Sequence, residues 1–301
     1  MPPIGVVHLV RRANGPAPLE RFLRSYREQP AGLEHELLLL LKGFGAGLPD
    51  EYRRLVEGLP HRELALPDRG FDLEPYFSAA SHFEHTYFCF FNSFSRLLAP
   101  GWLAKLRTPL DDRGIGVVSA TGSWQSFPAL RAERERELAR MRLGARLAWR
   151  VRHIAAERTF AGRVQRAAAW MLGSVGLWDP ARYFPAFPNY HVRTNAFMAH
   201  RDVLAAIRLP RLVFKLNALA LESGNDSLTA QVMRAGLRPV VVDREGRVFE
   251  KEQWCLSNTF RQSRQEGLLV ADNQTDAYEQ ADAKGRADFA HQAWGEFARP
   301  A

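Results

Sequence analysis

The residues best suited to chemistry fall at the ends of apolar runs. Lys42-Gly43 follows ELLLLL. Asp68 and Asp72 flank Arg69-Gly70-Phe71. Asn92-Ser93-Phe94-Ser95-Arg96 follows YFCFF, Thr121-Gly122-Ser123-Trp124 follows GIGVVSA, and Arg193-Thr194-Asn195 stands at the entry to an apolar strand. Glu222-Ser223-Gly224 precedes a helix, and VADNQT (270–275) opens a polar tail. Arginine suits bidentate recognition of phosphate and carboxylate. Lys42 and Arg96 therefore suit an anionic ligand, and Asn92, Ser93 and Ser95 supply hydrogen bonds beside them. Each has a plainer reading. Arg96 pairs or caps locally, Asp68 is a turn acid, and Asp72 is an N-cap. Trp124 is either a platform for a sugar face or a core residue, and a lone His191 is more often structural than functional. Glu222 at a helix start would also favour the dipole.

The elements that position these stretches alternate. Ile4–Val10, Glu36–Leu41, His61–Leu66, Tyr87–Phe91 and Gly114–Ala120 read as strands. Between them, helical spacing marks 19–29, 50–59 with Asp50 as N-cap, 71–82, and a helix from Trp102. Near-continuously apolar strands in repeated β-α units predict an α/β domain whose mostly parallel sheet is covered on both faces. Later, His191–Ala199 reads as one strand, Ser227–Ala235 as a helix closed by Gly236, and Pro239–Asp243 as a strand. The tail from about Gln265 is polar and helical near its end. LLLLLKGFGAG (37–47) imitates a dinucleotide loop, but its glycines are spaced G-x-G-x-G and the helix starts late, after Pro49.

Segment 128–178 differs. It is Arg-rich, with Leu138, Met141, Leu147, Trp149, Val151 and Ile154 among apolar residues at helical spacing. Two readings stand: amphipathic helices packed on the domain, or a membrane-surface element whose basic face and Trp149, Trp170 and Trp178 attract anionic lipid. We expect one domain over 1–301: a binding half at 4–125, the helical insertion at 128–178, a second half at 186–260 and a tail at 261–301.

The chain has 301 residues, 46% of them hydrophobic, enough for a sizeable core. Net charge is +8, and five of its 41 basic residues are lysine. Phosphorylated metabolites and anionic membrane suit that balance; nucleic acid does not enter, because no nucleic-acid-binding motif accompanies it. Two cysteines form no disulfide framework. With neither a signal peptide nor a membrane-spanning run, the expected setting is cytoplasmic, with a peripheral position on the inner face of the membrane as the second reading.

The order of elements resembles a GT-A fold glycosyltransferase, near the family 2 group. IGVVHLVRR, LERFLRSY and HELLLLLKGF are similar to its first strand, helix and second strand. DRGFDLEPYFSAASHFEHTYFCFFNSFSRLLAPGWLAKL resembles its centre, RTNAFMAHRDVL its acceptor-side strand, and ALESGNDSLTAQVMRAGLRPVVV its acidic motif, helix and last strand. A bacterial subgroup lacking the Asp-x-Asp motif is similar in NSFSR, ATGSW, RTNAFM, ESG and VADNQT. The resemblance implies a nucleotide-sugar donor, a glycan or lipid-linked acceptor and a role in cell-surface polysaccharide synthesis. It implies donor contacts at Lys42, Asp68, Asp72, Asn92, Ser93, Ser95 and Arg96. Acceptor contacts fall to Trp124, Arg193, Asn195 and Ser223. Glu222 matches the acid that takes the acceptor's proton, at a helix start facing the donor. Where the family carries Asp-x-Asp for Mg²⁺ or Mn²⁺, this chain has Asn92 and Phe94, so no metal or other cofactor is expected and cations would offset the diphosphate. The alternative is a catalytically silent domain that binds a glycan or a protein.

Overall fold

The computed structural model describes residues 3–45, 47–68, 73–155, 179–209 and 215–299. The strands of the central sheet are β1 (Ile4–Arg11), β2 (Glu36–Lys42), β3 (Arg62–Leu66), β4 (Tyr87–Phe91), β6 (Ile115–Ser119), β9 (Ala196–His200), β10 (Arg238–Val242) and β11 (Val248–Glu250). Among the described residues they form one eight-stranded sheet in the order β11-β10-β6-β9-β4-β1-β2-β3. β1 to β4, β6 and β10 run parallel where they pair with one another. β9 is antiparallel to both β4 and β6, and β11 is an antiparallel edge strand.

Both faces are covered, which is why β2 is apolar at every position from Leu37 to Leu41. One face takes Val6, Leu39 and Phe91 against α1 (Ala17–Glu28), α2 (Asp50–Val56) and α4 (Trp102–Arg107), through Phe22, Tyr52 and Trp102. The other takes Leu38, Phe90 and Phe197 against α3 (Leu73–His82) and the later helices. Those are α7 (Arg201–Ala206), α8 (Lys215–Ser223), α9 (Leu228–Arg234) and α11 (Ala283–Trp294); α10 (Asn273–Gln280) packs against α11. Gly236 follows α9 with φ +78, the left-handed backbone that ends a helix.

Some expectations are corrected. Asp50 does not cap α2. Pro49 sits extended before it, and the Pro49 carbonyl accepts from Tyr52 and Arg53. His191–Ala199 is not one strand. It divides into β8 (His191–Val192), paired with β7 (Gly122–Ser123) in a separate small sheet, and β9; residues 193–195 form the break. Two further short strands, β5 (Arg96–Leu97) and β12 (Val270–Ala271), pair antiparallel. Of segment 128–178, the described part is α5 (Phe127–Arg140) and α6 (Leu143–Ala155). α5 buries Leu138, whereas α6 leaves Leu143, Leu147 and Val151 exposed on one stripe. Trp170 and Trp178 lie outside the described residues. No described helix is long and apolar enough to cross a membrane.

Candidate functional site

The parallel strands all point their carboxyl ends to one edge of the sheet, where ligands bind in open α/β folds. Lys42 ends β2 there, and Asp68, Asn92 and Thr121 follow β3, β4 and β6. β9 runs the other way, so its start, Asn195, arrives at the same edge.

Asn195 is the hub. Its carbonyl accepts from the Asn92 N–H at 3.0 Å and from Ser95 Oγ at 2.8 Å. Asn92 Oδ1 accepts in turn from the Phe94 N–H at 2.9 Å and Ser95 Oγ at 3.0 Å, an Asx turn that closes the loop after β4. Thr121 Oγ1 donates to Asn195 Oδ1 at 2.6 Å. Asn195 Nδ2 is buried and has no hydrogen-bond partner among the described residues.

The neighbours of Asn195 in the 193–195 break reach elsewhere. Thr194 Oγ1 donates to Glu222 Oε1 at 3.2 Å. Arg193 is 5% exposed; its Nη2 donates to Asp272 Oδ2 at 2.7 Å, and its Nη1 lies 3.4 Å from Thr121 Oγ1. Asp272 is also buried. Its Oδ1 caps α10 by accepting from the Gln274 and Thr275 N–H groups, each at 3.0 Å. Arg96, partly exposed, donates to Asp276 Oδ1 at 2.7 Å.

Asn92, Ser95, Arg193, Asn195 and, through Thr194, Glu222 thus form one connected set. Ser93 is buried in the same loop, and Lys42 is buried at the end of β2. Asp68 receives the Arg11 guanidinium at 3.2 Å and lies against Gly43, whose φ of +81 and missing side chain allow the approach. Asp72 lies outside the described residues. Ser223 turns its hydroxyl back to the Leu219 carbonyl at 3.1 Å. Trp124 is 4% exposed, donates Nε1–H to the Lys251 carbonyl at 2.9 Å, and meets Tyr190 and Trp294 edge-on. His191 is buried with Nδ1 2.9 Å from the Asn189 carbonyl. Burial pushes its pKa down to about 4, so the ring is neutral at pH 7.

Glu222 does not open a helix: it lies in the last turn of α8. Gly224 follows closely, where a Cβ would stand 2.5 Å from the Ala220 carbonyl oxygen, and Ser227 caps the separate helix α9. Asp272 falls in the VADNQT stretch without a role of its own, and the residue pattern does not single out Asp276. The available signal was the capping pair Asp272 and Thr275 at three-residue spacing before a polar helix.

A divalent cation of the Mg²⁺ or Mn²⁺ type asks for several oxygen donors, carboxylates above all. After β4 the chain offers Asn92, whose Oδ1 already accepts two bonds, and Phe94, which has none to give. Among the described residues no group of three His, Cys, Asp or Glu is arranged to hold a metal. The donor set does not fit a hard cation.

No protein-family model matches the chain, and no curated protein matches it. Solved structures are similar. One is the mannosyltransferase PcManGT from Pyrobaculum calidifontis in complex with GDP-Man and Mn²⁺: 21% identity, TM-score 0.33, covering 39% of this chain and 35% of that one. A second is glucosyl-3-phosphoglycerate synthase from Mycobacterium tuberculosis with Mn²⁺, uridine-diphosphate and phosphoglyceric acid: 17% identity, TM-score 0.39, covering 80% and 68%. A third is CMP:2-keto-3-deoxy-manno-octonic acid synthetase with CTP: 12% identity, TM-score 0.40, covering 79% and 89%. This chain thus spans about a third of the mannosyltransferase's length. With scores at this level, a functional reading has to come from the chain's own residues.

Proposed function

We propose that this chain is a GT-A-type glycosyltransferase that moves a sugar from a nucleotide-activated donor to an acceptor hydroxyl. The observation that carries the reading is the link between Glu222 and the 193–195 break, which is bonded in turn to the loop after β4. It brings a carboxylate, a polar loop and two arginines to the edge where this kind of sheet binds ligands. In the reaction the acceptor oxygen attacks the anomeric carbon and its proton passes to the Glu222 carboxylate. The bond from that carbon to the diphosphate breaks, and the nucleoside diphosphate leaves. Asn92, Ser93, Ser95, Arg96 and Lys42 face the donor's phosphates and take the place of a metal. Arg193 and Asn195 line the acceptor side. A cell-surface glycan or its lipid-linked precursor is the acceptor class we favour. The exposed Leu143–Leu147–Val151 stripe on a basic helix suits peripheral contact with an anionic membrane.

A thermal-shift series against nucleotide sugars, with Mn²⁺ and with EDTA, identifies the donor, because a ligand of the folded state raises its melting point. Transfer is then measured with Glu222→Gln. The expected outcome is a loss of about 100-fold or more with donor binding kept. Wild-type transfer by this variant removes Glu222 from the base role. Activity abolished by EDTA and restored by Mn²⁺ removes the metal-free claim.

A second reading has its own observation. Arg96, a cation expected at the diphosphate, is already paired with Asp276. A silent domain that binds a glycan or a protein would show no calorimetric affinity for any sugar nucleotide.

A further inference from the structure

Beneath the segment that enters α10, two buried guanidiniums stand near one carboxylate, which pairs with only one of them. Arg193 and Arg261 are 5% and 8% exposed, and they lie on Phe260, at 4.0 and 4.9 Å from its ring centre. Asp272 pairs with Arg193 through Oδ2 and spends Oδ1 on the helix cap, so neither oxygen is left for Arg261. The partners of Arg261 are neutral: the Gln274 side-chain oxygen at 3.4 Å and the rings of Phe260 and Phe289. Its Nε has no hydrogen-bond partner among the described residues, and neither has Asn195 Nδ2, whose carboxamide shares Thr121 Oγ1 with Arg193.

The cluster therefore buries one positive charge more than it neutralises, and it holds donors with nothing to donate to. Burying an unpaired charge is costly, and so is an unsatisfied donor. The backbone adds to the cost. Arg261 has φ +49, and Asn258, Ser263 and Gln265 around it are also left-handed, a conformation that surrounding contacts must hold in place. Burial, followed by the nearby charge of Arg193 and partly opposed by that of Asp272, lowers the Arg261 pKa to about 10, which still leaves it charged at pH 7. One small anion at Arg261 would offset the surplus charge and accept from its free Nε–H.

We propose that Arg193 and Arg261 form an oxyanion site that takes a phosphoryl group carried by the acceptor. Guanidinium donors match phosphate oxygens, and both side chains keep a small exposure, 5% and 8%. The site is next to Thr194, which holds Glu222, so an acceptor anchored there presents its hydroxyl near the base. Naming the acceptor rests on the transferase reading; the anion site does not.

The test is calorimetric titration of the full chain with inorganic phosphate, alone and with saturating UDP or GDP, for wild type, Arg261→Gln and Asp272→Asn. Phosphate is expected to bind with and without the nucleotide. Arg261→Gln should weaken it about 10-fold or more. Asp272→Asn keeps a capping oxygen but removes the competing charge, and should strengthen it; a merely structural pair would not produce that gain. Absence of phosphate binding, or equal affinity in all three proteins, overturns the site. Displacement of phosphate by the nucleoside diphosphate overturns the acceptor assignment and gives the arginines to the donor. If phosphate binds and Arg261→Gln abolishes it while no nucleotide binds, the proposed function fails and the anion site stands.

Discussion

The two halves of the carboxyl edge are assembled differently. In the first half, β1 to β4 arrive by successive β-α units, and each strand end delivers its residue directly: Lys42 at the end of β2, Asp68 after β3, Asn92 after β4. In the second half, position depends on contacts between distant segments. Ser95 meets a residue 100 positions away, Arg193 one 79 away and Arg96 one 180 away. The contrast explains why the tail, which has its own helices, reaches this edge: Asp272 caps α10, α10 carries Asp276, and both acids hold arginines of the edge.

The largest effect is expected at the buried tie. Arg193→Gln removes the guanidinium hydrogen-bonded to the buried Asp272 carboxylate and should cost about 3–5 kcal/mol in denaturant unfolding. A loss under about 1 kcal/mol would mean that the second half does not depend on this pair. The wild-type chain should also lose stability in acid. His8 is fully buried against Phe22 at 3.7 Å, and burial lowers its pKa to about 3, as it lowers that of His191 to about 4. Both folded values lie below the unfolded value of 6.5, so the unfolded chain binds more protons between them. Stability is then complete above pH 6.5 and falls as the pH drops through that window, by about 1.4 kcal/mol per pH unit for each group. His8→Leu, within the first half, should flatten the slope by one group's share; an unchanged slope would show that His8 takes no part. The smallest effect is expected at the partly exposed Arg96–Asp276 pair, where Arg96→Ala should cost less than about 1 kcal/mol. A cost equal to that of Arg193→Gln would erase the difference between the two ties.

The first half was largely legible because its information is local. ELLLLL can only be a strand covered on both faces, and the late helix start after Pro49 kept the 43–47 glycines in a loop. Legibility failed where an element was interrupted or closed over a distance. HVRTNAFMA has the apolar character of one strand, yet Val192 pairs with Gly122 and Ala196 with Phe91, and the polar residues between turn inward. Glu222 lies between two helical patterns, and only the close approach of Gly224 to the Ala220 turn assigns it to the end of the first.

The sequence by itself determined the α/β order, the buried strands, the absence of Asp-x-Asp after β4 and the residue types at each strand end. Periodicity of apolar side chains and chemical identity are properties of short stretches, and they survive without a third dimension. Tertiary structure alone decided which charges meet. Arg193 with Asp272, Arg96 with Asp276, Thr194 with Glu222 and the two arginines against Phe260 follow from loop closure and packing between segments that no local pattern relates. Burial then raises the cost of leaving any of those groups unmatched, which is why the surplus charge at Arg261 became visible only in the folded chain.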